Sequence, residues 1–323
     1  MIETHLNELK NKTILVTGAT GFVGSNLARY LVQTGCDVHI ITRNESNKWR
    51  IQDILSLIKE HSCDLRDFNQ VNRLVTDIKP NIIYHLATYG SYPSFQQDLD
   101  TMVETNIKGT INLITALSKT KYEVLVNSGT SSEYGLKTKP MVETTPLEPT
   151  NHYGASKASM SLFAQVFARS FGQPIVTLRP FSVYGYYEEP TRLIPTVITS
   201  CLRGKNLNLT EGEQTRDFIF IDDVIDAYLK ASTSTRAHGE IINIGSSTQH
   251  TVKEVVLKIL ELCGNPVVAH WGMLPYRSGE TSSWVADNSK AKQLLGWEPQ
   301  NDLTQGLVKT IDWFKKNMHL YEA

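Results

Sequence analysis

The chain has 323 residues, 41% of them hydrophobic and 20% charged, with a formal net charge of -1. That length supports a large core in one or two domains, and the near-neutral balance argues against a nucleic-acid partner. Met1 to Asn11 hold no apolar leader, no stretch approaches the ~18–20 apolar residues of a membrane span, and Cys36, Cys63, Cys201 and Cys263 lack metal or redox spacing. The expectation is a cytoplasmic protein with reduced thiols, no membrane contact and no metal.

Lys12 to Thr17 is a short, β-branched, apolar run that feeds a glycine-rich segment, the pattern of a buried parallel strand. Phe22 to Thr34 reads as a helix with Gly35 at its C-terminal cap, and Asp37 to Thr42 as a second strand, completing a βαβ unit. Ile82 to Leu86, Val124 to Ser128, Ile175 to Leu178 and Glu240 to Ile244 are further strand candidates. Met102 to Lys119 and Tyr153 to Phe171 have helical length and periodicity. This alternation predicts an α/β protein built on a doubly wound parallel (Rossmann) sheet.

After Arg179 the texture changes. Pro180, Pro190 and Pro195 punctuate the chain, Gly204 to Asp217 is polar, and Thr251 to Cys263 and Leu303 to Asn317 read as helices without parallel partner strands. A smaller C-terminal α/β substrate-binding cap is expected. On this reading residues 1–179 form the dinucleotide-binding domain, the chain returns to it at about 218–247, and residues 180–217 and 248–323 form the cap.

Gly18, Gly21 and Gly24 follow the first strand and open the first helix in a G-x-x-G-x-x-G spacing. Residues without side chains let the backbone approach a pyrophosphate, whose charge suits a helix N-terminus. The second strand ends in Thr42-Arg43-Asn44, where NAD enzymes normally carry an acid for the ribose hydroxyls. A guanidinium at Arg43 suits a 2′-phosphate and favours NADP, with NAD as the alternative; a solvent-exposed strand-end arginine is the competing reading. Asp64, just before Leu65, would suit the adenine amino group, or is a carboxylate in a turn.

Tyr153 and Lys157 stand four residues apart in a predicted helix, hence one turn apart on one face. An ammonium there favours the ionised form of the phenol and makes it usable as an acid or base near neutral pH. A spacing this cheap is ordinarily an exposed helical pair. The glycine loop upstream and the Ser/Thr cluster between them turn the reading toward chemistry.

Together these motifs resemble the extended short-chain dehydrogenase/reductase family, in its nucleotide-sugar epimerase, dehydratase and reductase branch. The resemblance runs from Thr17-Gly18-Ala19-Thr20-Gly21-Phe22-Val23-Gly24 through Asp64-Leu65, His85-Leu86-Ala87 and Glu104-Thr105-Asn106. It continues through Ser128 to Gly135, Tyr153 to Lys157, Leu178 to Gly185, Arg216 to Ile219, and Val285-Ala286-Asp287 with Leu295 to Pro299.

The resemblance implies roles. Thr130 would hydrogen-bond the sugar oxygen that Tyr153 protonates or deprotonates, while Lys157 would hold the nicotinamide ribose. Phe22 and Val23, with the glycines, would face the dinucleotide; Leu86 and Ala87 would line it, and Pro180 would lie near its nicotinamide end. Asn106 is read as structural. Ser131, Ser132 and Tyr89, which opens the aromatic segment to Phe95, would lie near the sugar. Ser182 stands where many members carry an asparagine toward the diphosphate. Arg216, and also Arg192 and Arg277, resemble residues that grip the diphosphate or nucleoside, which arginine's planar fork suits. Homodimerisation through Met102–Lys119 and Tyr153–Phe171, paired with their mates as a four-helix bundle, is implied likewise.

A 4,6-dehydratase needs a second acid and base beside the threonine, and this chain offers Ser131 and Ser132 there. Glu133 arrives one residue late, pointing away if the segment is extended. Reduction of an NDP-4-keto-deoxyhexose with NADPH is the leading expectation, 4-epimerisation with tightly bound NAD the alternative, and dehydration the third. A protein of another class, a catalytically silent NADP sensor, usually loses the tyrosine or lysine that this chain keeps.

Overall fold

The computed structural model describes residues 8–91, 98–276 and 283–322. Among them, seven strands form one parallel sheet in the order β3-β2-β1-β4-β5-β6-β10. These are β1 (Thr13–Thr17), β2 (Asp37–Thr42), β3 (Lys59–Ser62), β4 (Ile82–His85), β5 (Val124–Ser128), β6 (Ile175–Pro180) and β10 (Ile241–Ile244). The expected doubly wound fold is therefore present.

Side chains alternate along a strand, so each buried strand feeds two cores. Ile14 and Val16 of β1, Ile82 and Tyr84 of β4, and Val124 and Val126 of β5 face one core. There they meet Leu27, Ala28 and Leu31 of α1 (Phe22–Val32) and Val224, Ala227 and Tyr228 of α6 (Ile221–Thr233). Leu15, Ile83 and Leu125 face the other core, against Val71 and Val75 of α2 (Phe68–Ile78), Leu113 and Leu117 of α3 (residues 99–117), and Ala164 and Ala168 of α4 (His152–Phe171). Helix α3 is α-helical over Leu99–Met102 and Gly109–Leu117 and runs as a π-helix over Val103–Lys108.

The expected looser stretch contains α5 (Leu193–Arg203), whose first turn includes Pro195. A proline there sacrifices no intrahelical bond, because first-turn N–H groups have no acceptor within the helix. A three-stranded sheet of β7 (Ser182–Tyr184), β9 (Thr215–Phe220) and β11 (Gln249–Thr251) stands beside the main one, and β8 (Leu207–Asn208) pairs with β12 (Ala269–His270). Helices α7 (Val252–Leu262), α8 (Ser289–Leu295) and α9 (Leu303–Asn317) complete the chain. Phe218, at the expected return point, lies in the small sheet, while α6 and β10 carry the chain back to the large one.

The strand order reverses between β1 and β4. In open α/β sheets the crevice beyond the carboxyl ends of such strands is where ligands bind. The glycine loop leaves β1 at this point, Leu86 and Ala87 leave β4, and Thr130 follows β5. Among the described residues, no helix is long and apolar enough to cross a membrane.

Candidate active site

Gly18 adopts φ +74°, and a Cβ there would meet the Ala87 nitrogen at 2.6 Å. A Cβ on Gly24 would sit 2.2 Å from the Gly18 carbonyl oxygen. The loop is thus packed on itself and on the end of β4, a cradle that side chains would fill. Gly21 is the N-cap of α1 and no side chain caps it, which suits a pyrophosphate at the first turn beside half-buried Phe22 and Val23. The residues present fit a dinucleotide.

At the adenosine end, the Arg43 Nε lies 3.1 Å from Glu45 Oε1, with the guanidinium partly exposed. The Asp64 carboxylate accepts from Arg66 Nε at 2.9 and 3.0 Å and from the Arg66 backbone N–H at 2.9 Å. Arg66 holds that carboxyl below the usual carboxylate range, so the expected adenine contact would share an oxygen already bonded. Leu65 is buried, and its carbonyl accepts from Asn112 Nδ2 at 2.9 Å.

The β4 end is fixed from beneath. Ala87 N–H donates to Thr17 Oγ1 at 3.1 Å, and Leu86 N–H to the Thr17 carbonyl at 3.1 Å. His85 bridges Thr17 and Thr110 through its two ring nitrogens, at 2.7 and 2.8 Å. Burial, with the charge of Lys157, pushes His85 down to about 3, so the ring stays neutral. Asn106, in the π-helical turn, is fully buried; its side chain takes the Tyr89 N–H at 2.7 Å and donates to the Tyr89 carbonyl at 2.9 Å. Asn106 thereby ties down the start of the aromatic segment. The rest of that segment from Tyr92 lies outside the described residues, as does Arg277.

Thr130 is extended (φ -162°, ψ 150°) and begins a 3₁₀ turn, Ser131–Glu133. Its Oγ1 accepts from Ser132 N–H at 3.2 Å, while its own N–H donates to Glu133 Oε1 at 2.9 Å. Glu133 also accepts from Ser161 Oγ at 2.9 Å and from Arg179 Nε at 2.7 Å, both partners buried. Arg179 continues to the Tyr134 hydroxyl at 3.0 Å, which donates to Asn243 at 2.7 Å. The expectation that Glu133 points away rested on an extended segment; the segment is instead a capped turn, and the buried carboxylate closes it from inside.

Tyr153 lies in the first turn of α4, whose N-cap Asn151 accepts from Gly154 N–H at 2.8 Å. Lys157, one turn on, is buried, and its Nζ donates to the Ser128 carbonyl at the end of β5. Burial lowers its pKa to about 8, with Glu133 opposing. The arrangement puts a half-buried phenol and a buried amine beside the strand end that leads to Thr130.

On the substrate side, Trp284 Nε1 donates to Ser131 Oγ at 3.0 Å, and the Arg216 guanidinium lies 5.6 Å from the Trp284 ring centre. One indole thus links the turn after Thr130 to an arginine on β9. Arg192 is the N-cap of α5, its Nε 3.8 Å from Glu188 Oε1. Ser182 pairs with Phe218 in the small sheet, and Pro180 closes β6 against Ile244. Among the described residues, no group of three or more His, Cys, Asp or Glu side chains could hold a metal. Sequence reading did not single out Trp284, Ser128 or the Glu133–Arg179 pair. An arginine closing the apolar β6 was the available sign of a buried partner, but nothing in the spacing names it.

A glycine cradle at the switch point, with Thr130 after β5 and Tyr153 and Lys157 on α4 beside it, fits a dinucleotide-dependent enzyme site of the short-chain type. The chain belongs to the NAD dependent epimerase/dehydratase family, which it matches over residues 14–245, and is an extended short-chain enzyme of nucleotide-sugar type. A dTDP-glucose 4,6-dehydratase of Haemophilus influenzae is 29% identical over 94% of this chain and 98% of its own. A Bacillus subtilis protein described as an uncharacterized UDP-glucose epimerase is 32% identical over 92% of this chain and 96% of its own. Among solved structures, an epimerase of Methanothermobacter thermautotrophicus superposes with a TM-score of 0.89 at 28% identity, over 99% of this chain and 97% of its own. A UDP-glucuronic acid 4-epimerase from Bacillus cereus, solved with UDP-glucuronic acid and NAD, gives 0.84 at 31% identity, over 94% of this chain and 99% of its own.

Proposed function

We propose that this protein is a cytoplasmic, NADPH-dependent 4-ketoreductase of an NDP-4-keto-deoxyhexose. The observation that carries the reading is the pairing of a complete Thr130, Tyr153 and Lys157 set with no acid beside Thr130 able to eliminate water. Ser131 and Ser132 occupy those places, and Glu133 is committed to Arg179, Ser161 and the Thr130 backbone.

The dinucleotide, when bound, supplies the hydride. Tyr153 would hold the proton destined for the C4 oxygen of the sugar, and Thr130 would orient that oxygen by a hydrogen bond. Lys157 would stabilise the phenolate left behind and contact the nicotinamide ribose. Arg216, with Arg192, would bind the diphosphate, and Ser131, Ser132, Ser182 and Tyr89 would border the sugar. Arg43, turned partly to solvent, would meet the 2′-phosphate with the nitrogens that Glu45 does not engage. We assign the dinucleotide to residues 1–179 with the return at about 218–247, and the sugar nucleotide to the cap.

A second reading, 4-epimerisation with retained NAD, is supported by the relatives, several of which are 4-epimerases. Incubation with a panel of NDP-4-keto-6-deoxyhexoses and NADPH, followed by loss of nicotinamide absorbance, separates the two. Conversion of an ordinary NDP-hexose without added cofactor would establish the epimerase. Arg43→Asp is expected to weaken NADPH and improve NADH by about tenfold in relative kcat/KM, one charge-assisted contact being worth roughly 1.5–3 kcal/mol. An unchanged ratio would remove the argument for NADPH.

A further inference from the structure

Ser128 is gripped from both faces of the sheet. Its carbonyl accepts from Lys157 Nζ of α4, and its hydroxyl accepts from Tyr228 OH of α6 at 2.6 Å. Helices α4 and α6 belong to opposite layers, so the two cores meet through this one strand end. Tyr228 is fully buried, its ring packed 6.5 Å from that of Tyr84. Burial and the nearby charge of Tyr153 push its phenol above the usual tyrosine range, so it remains a proton-bearing donor.

A buried ammonium is costly unless its protons find acceptors. Lys157 has the Ser128 carbonyl and, at 3.6 Å, the Met160 sulfur. The charged and titratable groups that act on it or that it acts on are Glu133, which favours its charge, and His85, which is neutral; the Tyr153 phenol lies near that of Tyr228. Its position therefore depends on how firmly that carbonyl is held.

We propose that Tyr228 is a positioning residue for this site: by donating to the Ser128 hydroxyl, it pins the strand end whose carbonyl anchors Lys157, one helical turn from Tyr153. The inference deepens the Tyr153–Lys157 reading above and rests on it. Tyr228 touches neither sugar nor dinucleotide in this role. It acts through Ser128, then through Lys157, on the proton held by Tyr153.

The test is a substrate-free ultraviolet titration of the Tyr153 phenolate, taken as the difference between each protein and the same protein carrying Tyr153→Phe. Tyr228→Phe keeps the ring on Tyr84 and removes only the hydroxyl; Ser128→Ala removes the acceptor with little change of volume. Each is expected to move the Tyr153 ionisation to higher pH, and the double variant to move it no further than either alone. In turnover, each should lower kcat about tenfold with KM for the sugar nucleotide unchanged, the signature of a lost acid–base advantage. An unmoved Tyr153 titration in both variants, or shifts that add in the double variant, would overturn the proposal. If Tyr228→Phe does not fold, Ser128→Ala carries the same decision. Because the titration needs no turnover, failure of the wild-type protein on every nucleotide sugar would sink the functional reading and leave this result to be judged separately.

Discussion

Glu188 is the residue at which burial and charge conflict most openly. It is buried, its Oε2 finds no hydrogen-bond partner among the described residues, and Arg192 approaches its other oxygen only to 3.8 Å. Burial raises its pKa from 4.5 to about 8, against the pull of Arg192 and Arg50. The folded chain therefore keeps a proton that the unfolded chain releases, and stability falls as pH rises through that window. Glu188→Gln should remove the loss: its melting temperature relative to wild type should climb between about pH 5 and about pH 8. Parallel curves for the two proteins would count against it. Nothing in Tyr186-Tyr187-Glu188-Glu189-Pro190 distinguishes a buried acid from an exposed one, because part of that difference is made by Arg50, distant in sequence. Tyr153 and Lys157 were legible for the opposite reason: one helical turn contains both.

At the level of elements, the glycine loop is the most demanding piece of the fold. A methyl group on Gly24 would overlap the Gly18 carbonyl at 2.2 Å, so α1 would have to tilt away from β1. Gly24→Ala should abolish dinucleotide binding and lower the melting temperature; calorimetric titration with NADPH and NADH checks it, and retained affinity would contradict the cradle. β2 and α9 were readable to their ends, because β-branched runs and helical periodicity report burial directly. β3 was not, since Lys59-Glu60-His61-Ser62 is polar and forms the charged outer edge of the sheet. Helix α6 does carry helical spacing at Ile221, Val224, Ile225, Tyr228 and Leu229, all buried. Its position is what sequence conceals, because it crosses back from the small sheet to cover β5 and β6.

For the whole molecule, the outer face of α3 and α4 remains to be explained. Leu99, Val103, Leu162, Phe163, Val166 and Phe171 are between 44% and 66% exposed in the single chain. Clustered apolar side chains at that level mark an interaction surface. The four-helix homodimer that the family resemblance implies would cover them, so Phe163→Glu with Val166→Glu should convert a dimer to a monomer by light scattering. A monomeric wild-type protein would refute the assembly. The fold and cofactor cradle are local patterns repeated along the chain, and hence legible. The proposed sugar site would draw on the turn after β5, on β7 and β9, and on the segment around Trp284, which meet only once the chain is folded.

The order of strands also has a consequence during synthesis. β6 ends at Pro180, yet β10, which covers its outer flank, begins at Ile241, roughly sixty residues later. Until the ribosome has delivered β7, β9, α6 and then β10, a row of backbone amides and carbonyls along β6 stands bare to any strand that passes. A nascent or truncated product ending near residue 179 would therefore be adhesive, whereas the finished chain hides that flank. Much of the expected cap and the protection of the sheet thus emerge from the same stretch of translation.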